Sequence, residues 1–132
     1  MADQSCDIEI RVRYAETDRM GYVHHSRYAV FLEMGRTELL RQAGVCYRDL
    51  EDAGVFFVVA KMSVSFKAPA RYDDVLVLTT RVKRMTMARI DHEYRLVRKD
   101  TDELLTEAET TLACVDREGS IIAIPEFVKG KP

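Results

Sequence analysis

Asp18, His24 and His25 fall within one short stretch, YAETDRMGYVHHSRY over residues 14–28, with Gly21 between them and Tyr14 and Tyr28 at its ends. An aspartate placed beside the head of a helix is a chemically useful pair. The first turn of a helix presents backbone N–H groups that have no partner and the positive end of the helix dipole. A carbonyl oxygen or an anion held there is stabilised without any side chain. A nearby carboxylate can then act as general base on water, or attack the carbonyl itself. Gly21 lets the connecting loop, residues 19–24, approach a ligand closely. The plainer reading is that Thr17-Asp18 belongs to an ordinary turn, where aspartate is common.

The neighbours are weighed the same way. Adjacent histidines on a loop point in different directions, and no carboxylate or cysteine at ligand spacing completes a metal set, so no metal site is expected. His25 fits a role at the helix head better than the role of base. Tyr14 is either core or a hydroxyl lent to the site. His92 lies in a stretch of alternating charge and is expected at the surface. Glu33, Arg36 and Glu38 read as a solvated or interface face. Arg81, Lys83, Arg84 and Arg89 flank a tight turn at 85–88, which is either plain surface or a place for phosphates.

The elements that must position these residues follow from periodicity. Residues 8–14, IEIRVRY, alternate as a half-buried strand, with Ile8, Ile10, Val12 and Tyr14 on the inner face. From His25 to Ala43 apolar residues recur at spacings of three and four, which predicts one long helix. Ser26 offers an N-cap and Gly44 a C-terminal stop. Gly35 in mid-helix costs up to about 1 kcal/mol of propensity and predicts close backbone packing. A turn over RDLEDAG leads to strands at 55–67, 74–84, 87–99 and 103–115, and a last short strand is expected at IIAI, residues 121–124. Short connections favour hairpins. The layout is α+β: one long helix on one side of a mostly antiparallel sheet of about five strands. Its exposed edges predict a homodimer that joins edge strands into a continuous sheet.

The whole chain of 132 residues suits one domain, 1–132, with a core of its own. Twenty Lys and Arg against 22 Asp and Glu give a net charge of −2, which argues against a general nucleic-acid binder. Three cysteines without paired spacing fit a reducing compartment. No secretory leader is read in the first twenty residues and no transmembrane run anywhere, so a cytoplasmic protein is expected.

At this point the residues resemble a known family. Y-x-E-T-D-x-x-G-x-V-x-H-x-x-Y over 14–28, F-x-E-x-x-R over 31–36, FVV at 57–59, FKAPARYDD at 66–74 and EAETTLACVD at 107–116 are similar to the acyl-CoA thioesterases of the YbgC and 4-hydroxybenzoyl-CoA thioesterase type. The resemblance implies a hot-dog fold, a long helix wrapped by an antiparallel sheet, dimerised edge to edge and often paired again into a tetramer. It implies hydrolysis of the thioester between coenzyme A and an acyl group, a short aliphatic or an aromatic one, with acyl carrier protein as a further partner. The family's catalytic carboxylate falls on Asp18, as nucleophile or general base. The residue matching His25 offers its backbone N–H to the thioester carbonyl, and Tyr14 accompanies the pair. No cofactor or metal is implied. The family's nucleotide-binding basic run corresponds only loosely to Lys83, Arg84 and Arg89, which stand outside the turn here. The rival readings are a hydratase or dehydratase acting on a thioester, and a non-catalytic module that binds acyl-CoA or acyl carrier protein.

Overall fold

The computed structural model describes residues 4–129. The chain opens with β1 (Ser5–Arg11), then a long connection holding two 3-10 turns, Tyr14–Glu16 and His25–Arg27. α1 (Tyr28–Gln42) and α2 (Tyr47–Asp52) follow, and then four long strands: β2 (Phe56–Phe66), β3 (Val75–Met85), β4 (Arg89–Arg98) and β5 (Leu104–Val115). The sheet order is β1-β3-β4-β5-β2, and every neighbouring pair is antiparallel. β1 and β2 therefore form its two edges.

α1 is a helix because its apolar residues share one face. Tyr28, Phe31, Leu32, Gly35, Leu39 and Leu40 are buried, at the three-and-four spacing of a 3.6-residue turn. That face lies against β1 and β3. Its first half joins Leu76, Leu78 and Leu96 in one apolar cluster, and its second half joins Val82, Ile90 and Cys114 in another. Full burial of one such side chain, Phe31 for instance, stabilises the fold by about 2–3 kcal/mol. The helix stops as expected at Gly44, which adopts a φ of 85°. The Val45 N–H returns to the Leu40 carbonyl (3.1 Å) and the Gly44 N–H to that of Arg41 (2.9 Å), the pair of bonds that closes a Schellman end.

Five expectations need correction. β1 ends at Arg11, so Tyr14 is not an inward strand residue; it sits on a 3-10 turn and is 78% exposed. Residues 47–52 form α2 rather than a turn, burying Leu50. The segment 121–124 makes only one isolated bridge, Ile121 to Val115, and then crosses away so that the Ile124 N–H reaches the Met87 carbonyl at 2.8 Å. His92 is not at the surface: it stands in phase with Ile90, Tyr94 and Leu96 on the inner face of β4 and is buried. Arg36 is likewise buried on the inner stripe of α1, not solvated.

The opposite face of the sheet carries cross-strand ion pairs, among them Arg81 with Glu93, Lys83 with Glu109 and Arg95 with Glu107. Each contributes at most about 1 kcal/mol in water. One long helix wrapped by a five-stranded antiparallel sheet is the hot-dog fold.

Candidate active site

The loop between β1 and α1 is held by its backbone. Val12 bonds in both directions to the segment before β3, its N–H to the Asp74 carbonyl (2.9 Å) and its carbonyl from the Asp73 N–H (3.0 Å). Glu16 then locks the following turn. Its carboxylate accepts from the Arg13 backbone N–H (2.8 Å) and the Arg13 guanidinium (3.1 Å), and it is 6% exposed. Beyond it the chain doubles back on itself. The His24 N–H bonds the Glu16 carbonyl (2.8 Å), Thr17 bridges Val23, and the Asp18 N–H bonds the Tyr22 carbonyl (2.7 Å). Gly21, at a φ of 80°, makes the reversal, a conformation costly for residues with a side chain. The Val23 N–H anchors the loop to the Ala70 carbonyl (2.8 Å).

Asp18 is exposed at the tip of this ladder. Its Oδ1 accepts from the Met20 and Tyr22 backbone N–H groups, at 2.9 and 3.2 Å. Those bonds fix the carboxylate while leaving Oδ2 without a protein donor among the described residues.

The head of the helix differs from expectation in one respect. The cap is His24, not Ser26: the His24 Nδ1 accepts from the Ser26 N–H (3.1 Å) and lies 2.9 Å from the Ser26 hydroxyl. The His24 and His25 rings stack at 4.2 Å. The Arg27 N–H bonds the His24 carbonyl, and the Tyr28 N–H that of His25. Three of the first donors are thereby satisfied. The His25 N–H has no acceptor among the described residues, so it is free for a ligand oxygen.

Tyr14 belongs to the rim of this loop, its ring edge-on to Tyr72 at 5.7 Å. Met20, Tyr72 and Phe66 are also exposed, and Phe66 packs on Tyr28 at the helix head (4.9 Å). A carboxylate, a free N–H and an apolar rim can take a polarised carbonyl attached to an apolar group. The basic trio lies elsewhere. Val75, beside the loop, pairs with Arg11, and Lys83 is eight residues further along β3, some 26 Å at strand spacing. There Lys83 pairs with Glu109 (3.2 Å) and Arg84 with Asp91 (2.9 Å). Burial pushes the Asp91 carboxyl up, but the hydrogen bond from Thr111 and the Arg84 guanidinium outweigh it and leave its pKa below the usual value. Among the described residues no group of His, Cys, Asp and Glu side chains is arranged to hold a metal ion.

Three buried polar residues were not expected to be buried from the sequence. Glu16 is in the motif but carries no sign of burial; Arg36 and His92 occupy inward phases that their charge and polarity disguise.

The model of the thioesterase-like superfamily matches residues 12–131. The chain belongs to that superfamily. Within it, the chain is a member of the YbgC and 4-hydroxybenzoyl-CoA thioesterase family and a thioester hydrolase. It is 40% identical over 107 residues to the acyl-CoA thioester hydrolase YbgC of Escherichia coli O157:H7, covering 81% of this chain and 79% of that one. It is 35% identical over 131 residues to the acyl-CoA thioesterase YbgC of Haemophilus influenzae, covering 98% and 95%. The solved structure of a DHNA-CoA thioesterase from Staphylococcus aureus superposes with a TM-score of 0.87 at 29% identity, over 90% of this chain and 80% of that one. Among the described residues no helix is long and apolar enough to cross a membrane.

Proposed function

We propose that this thioester hydrolase acts on acyl-CoA, as one hot-dog thioesterase domain over residues 1–132, with Asp18 and the His25 backbone N–H as its reacting groups. The observation that carries the reading is the unclaimed His25 N–H at the start of the 3-10 turn that leads into α1, tied to Asp18 through a short backbone ladder. The thioester carbonyl accepts from that N–H, which stabilises the charge that develops on its oxygen. Asp18 Oδ2 takes a proton from water as the water oxygen bonds the carbonyl carbon, or bonds that carbon itself and is released by water in a second step. In either route the carbon–sulfur bond breaks, CoA leaves as thiolate, and the free acid forms. The Tyr14 hydroxyl stands at the rim to orient the substrate. No cofactor takes part in these steps.

The active unit is a homodimer joined through the free edge of β2, with a tetramer as its further assembly. Val58, Val59, Met62 and Phe66 leave that edge apolar and exposed, an unpaired template of the kind proteins cover. Such pairing also gives Lys83, Arg84 and Arg89 a role: they reach the CoA phosphates of the partner's site, since they stand far from Asp18 in their own chain. Acyl carrier protein is a second carrier of the same thioester. The free thiols of Cys6, Cys46 and Cys114 suit a cytoplasmic setting.

The test is thiol release from a panel of acyl-CoAs, aliphatic and aromatic, followed colorimetrically. Release supports the reading. Hydration of an enoyl-CoA without release, or tight binding without turnover, would replace it with a hydratase or a binding module. Single turnover in ¹⁸O-water then reports on the route: an unlabelled first product marks a nucleophilic Asp18 whose anhydride water opens at the aspartyl carbon.

A further inference from the structure

The inner stripe of α1 holds a cation with no counter-charge. Arg36 is 9% exposed, yet among the described residues it joins no ion pair. It lies beside the hydroxyls of Tyr47 and Tyr94 and near the ring of His92. The Tyr94 hydroxyl is shared with Thr110 at 2.6 Å, and the His92 Nδ1 is buried with no hydrogen-bond partner. Arg36, Tyr47, Phe57, Val82 and His92 line a chamber of about 20 Å³. An outer recess of about 270 Å³ shares Arg36, Tyr47 and Phe57 with it, and has Glu33 and Glu51 on its solvent side. Those two carboxylates are exposed, so water and salt screen them.

A buried guanidinium without an anion is costly. A carboxylate is its natural complement, because the planar fork binds both oxygens at once. A neutral His92 can add an Nδ1–H donor to the same group. The chamber has room only for a small terminal group, and the larger recess that adjoins it can take the alkyl chain behind that group. Resting on the acyl-CoA hydrolase reading above, we propose that this slot holds the far end of the acyl group and selects short acyl chains that terminate in a carboxylate.

The slot does not serve the catalytic loop of its own chain. Arg36 is eleven residues beyond His25, about 16 Å along the helix axis. On β2, Phe57 borders the slot and Phe66 packs at the helix head, nine residues or about 30 Å apart. Two β2 edges paired antiparallel about their middle bring the Phe57 end of one chain to the Phe66 end of its partner. Each site then takes Asp18 and His25 from one chain and Arg36 from the other.

Two measurements test this. The first compares kcat/KM for succinyl-CoA with butyryl-CoA, and for glutaryl-CoA with valeryl-CoA, in the wild-type protein and in Arg36→Met and Arg36→Lys. The wild type is expected to favour the carboxylate-ended member of each pair by about tenfold or more, the ratio expected of a charge-assisted bond. Arg36→Met is expected to bring the ratio to one or below, mainly through KM, and Arg36→Lys to fall between. A wild-type preference for the neutral chains overturns the proposal even if the variants fail to fold. So does an unchanged ratio in Arg36→Met, the mark of a merely structural residue. No turnover of any acyl-CoA would sink the thioesterase reading and this one with it.

The second mixes Asp18→Asn chains with Arg36→Met chains after unfolding and refolding together. Hybrid dimers regain one intact composite site, so turnover of succinyl-CoA should recover to about a quarter of the wild-type value. No recovery, with hybrids present by native mass spectrometry, overturns the cross-subunit placement.

Discussion

Gly35 and Thr80 meet across the helix–sheet interface with no room for a side chain between them. A methyl group on Gly35 would run into the Thr80 hydroxyl and would lie 2.7 Å from a methyl of Leu78. The glycine therefore sets how closely α1 seats on β3. Gly35→Ala should cost about 2–3 kcal/mol, read as a lower urea midpoint at unchanged slope. The Thr80 hydroxyl is buried without a partner, so Thr80→Ala alone should cost little. The double variant should be more stable than the sum of the two singles by at least about 0.5 kcal/mol. Additive costs would mean that Leu78, not Thr80, is the limiting contact.

Asp18→Asn keeps the Oδ1 acceptor that Met20 and Tyr22 use. Stability should stay within about 0.5 kcal/mol of wild type while kcat falls about a thousandfold or more. Full activity in that variant would remove Asp18 from the reaction.

The His25 side chain and its N–H can be separated. His25→Ala retains the donor and should lose less than about tenfold in kcat. His25→Pro removes the N–H at a helix-start position that tolerates proline, and His24 already has the extended ψ of 140° that a following proline requires. Its kcat should drop about 100- to 1,000-fold with the fold intact by circular dichroism. Equal losses in the two variants would transfer the role to the imidazole.

Met62 is 48% exposed on the free edge of β2. Met62→Asp should weaken self-association by about 100-fold, seen in sedimentation, with turnover falling in step with the dimer fraction. A wild-type chain that sediments as a monomer at micromolar concentration and is fully active would exclude the shared site.

His92 titrates in the opposite sense to a surface histidine. Burial, reinforced by Arg36 and opposed by Asp91, pulls its pKa from 6.5 down to about 4. Between these values the unfolded chain holds the proton more tightly than the folded one. Stability is therefore fully present above about pH 6.5 and declines as pH falls to about 4, by up to about 3 kcal/mol. Asp91 titrates beneath that window, since its pKa is held below 3.8. Urea unfolding across this range should show the decline in wild type and a flatter profile in His92→Gln.

The sheet was readable because its strands are long and bounded by turn residues: the expected spans of β2 to β5 agree with the structure to within two residues at each end. α2 was not, because six residues with a single buried leucine cannot display a helical period. The position of Asp18 before the helix was legible from the motif. The His24 cap was not, because serine is the stronger cap by residue type and only geometry shows the imidazole in its place. Arg36 and His92 were missed for a shared reason: each is in phase with its buried stripe, but a charged or polar residue type reads as surface. In both, phase was the better guide.

The strand order has a bearing on how the chain acquires this site at all. β1 must wait for β3, about seventy residues later in the chain, and β2 for β5, about fifty later. The Asp18 loop is itself tied to Ala70 and Arg71. A nascent chain that has emerged only as far as β2 thus holds Asp18 and the helix but no sheet to seat them on. Most of its pairing partners are still to be made, a non-local arrangement that slows folding and leaves apolar strands open meanwhile. The Asp18 loop is made well before the segment that anchors it and is fixed only once that segment has emerged.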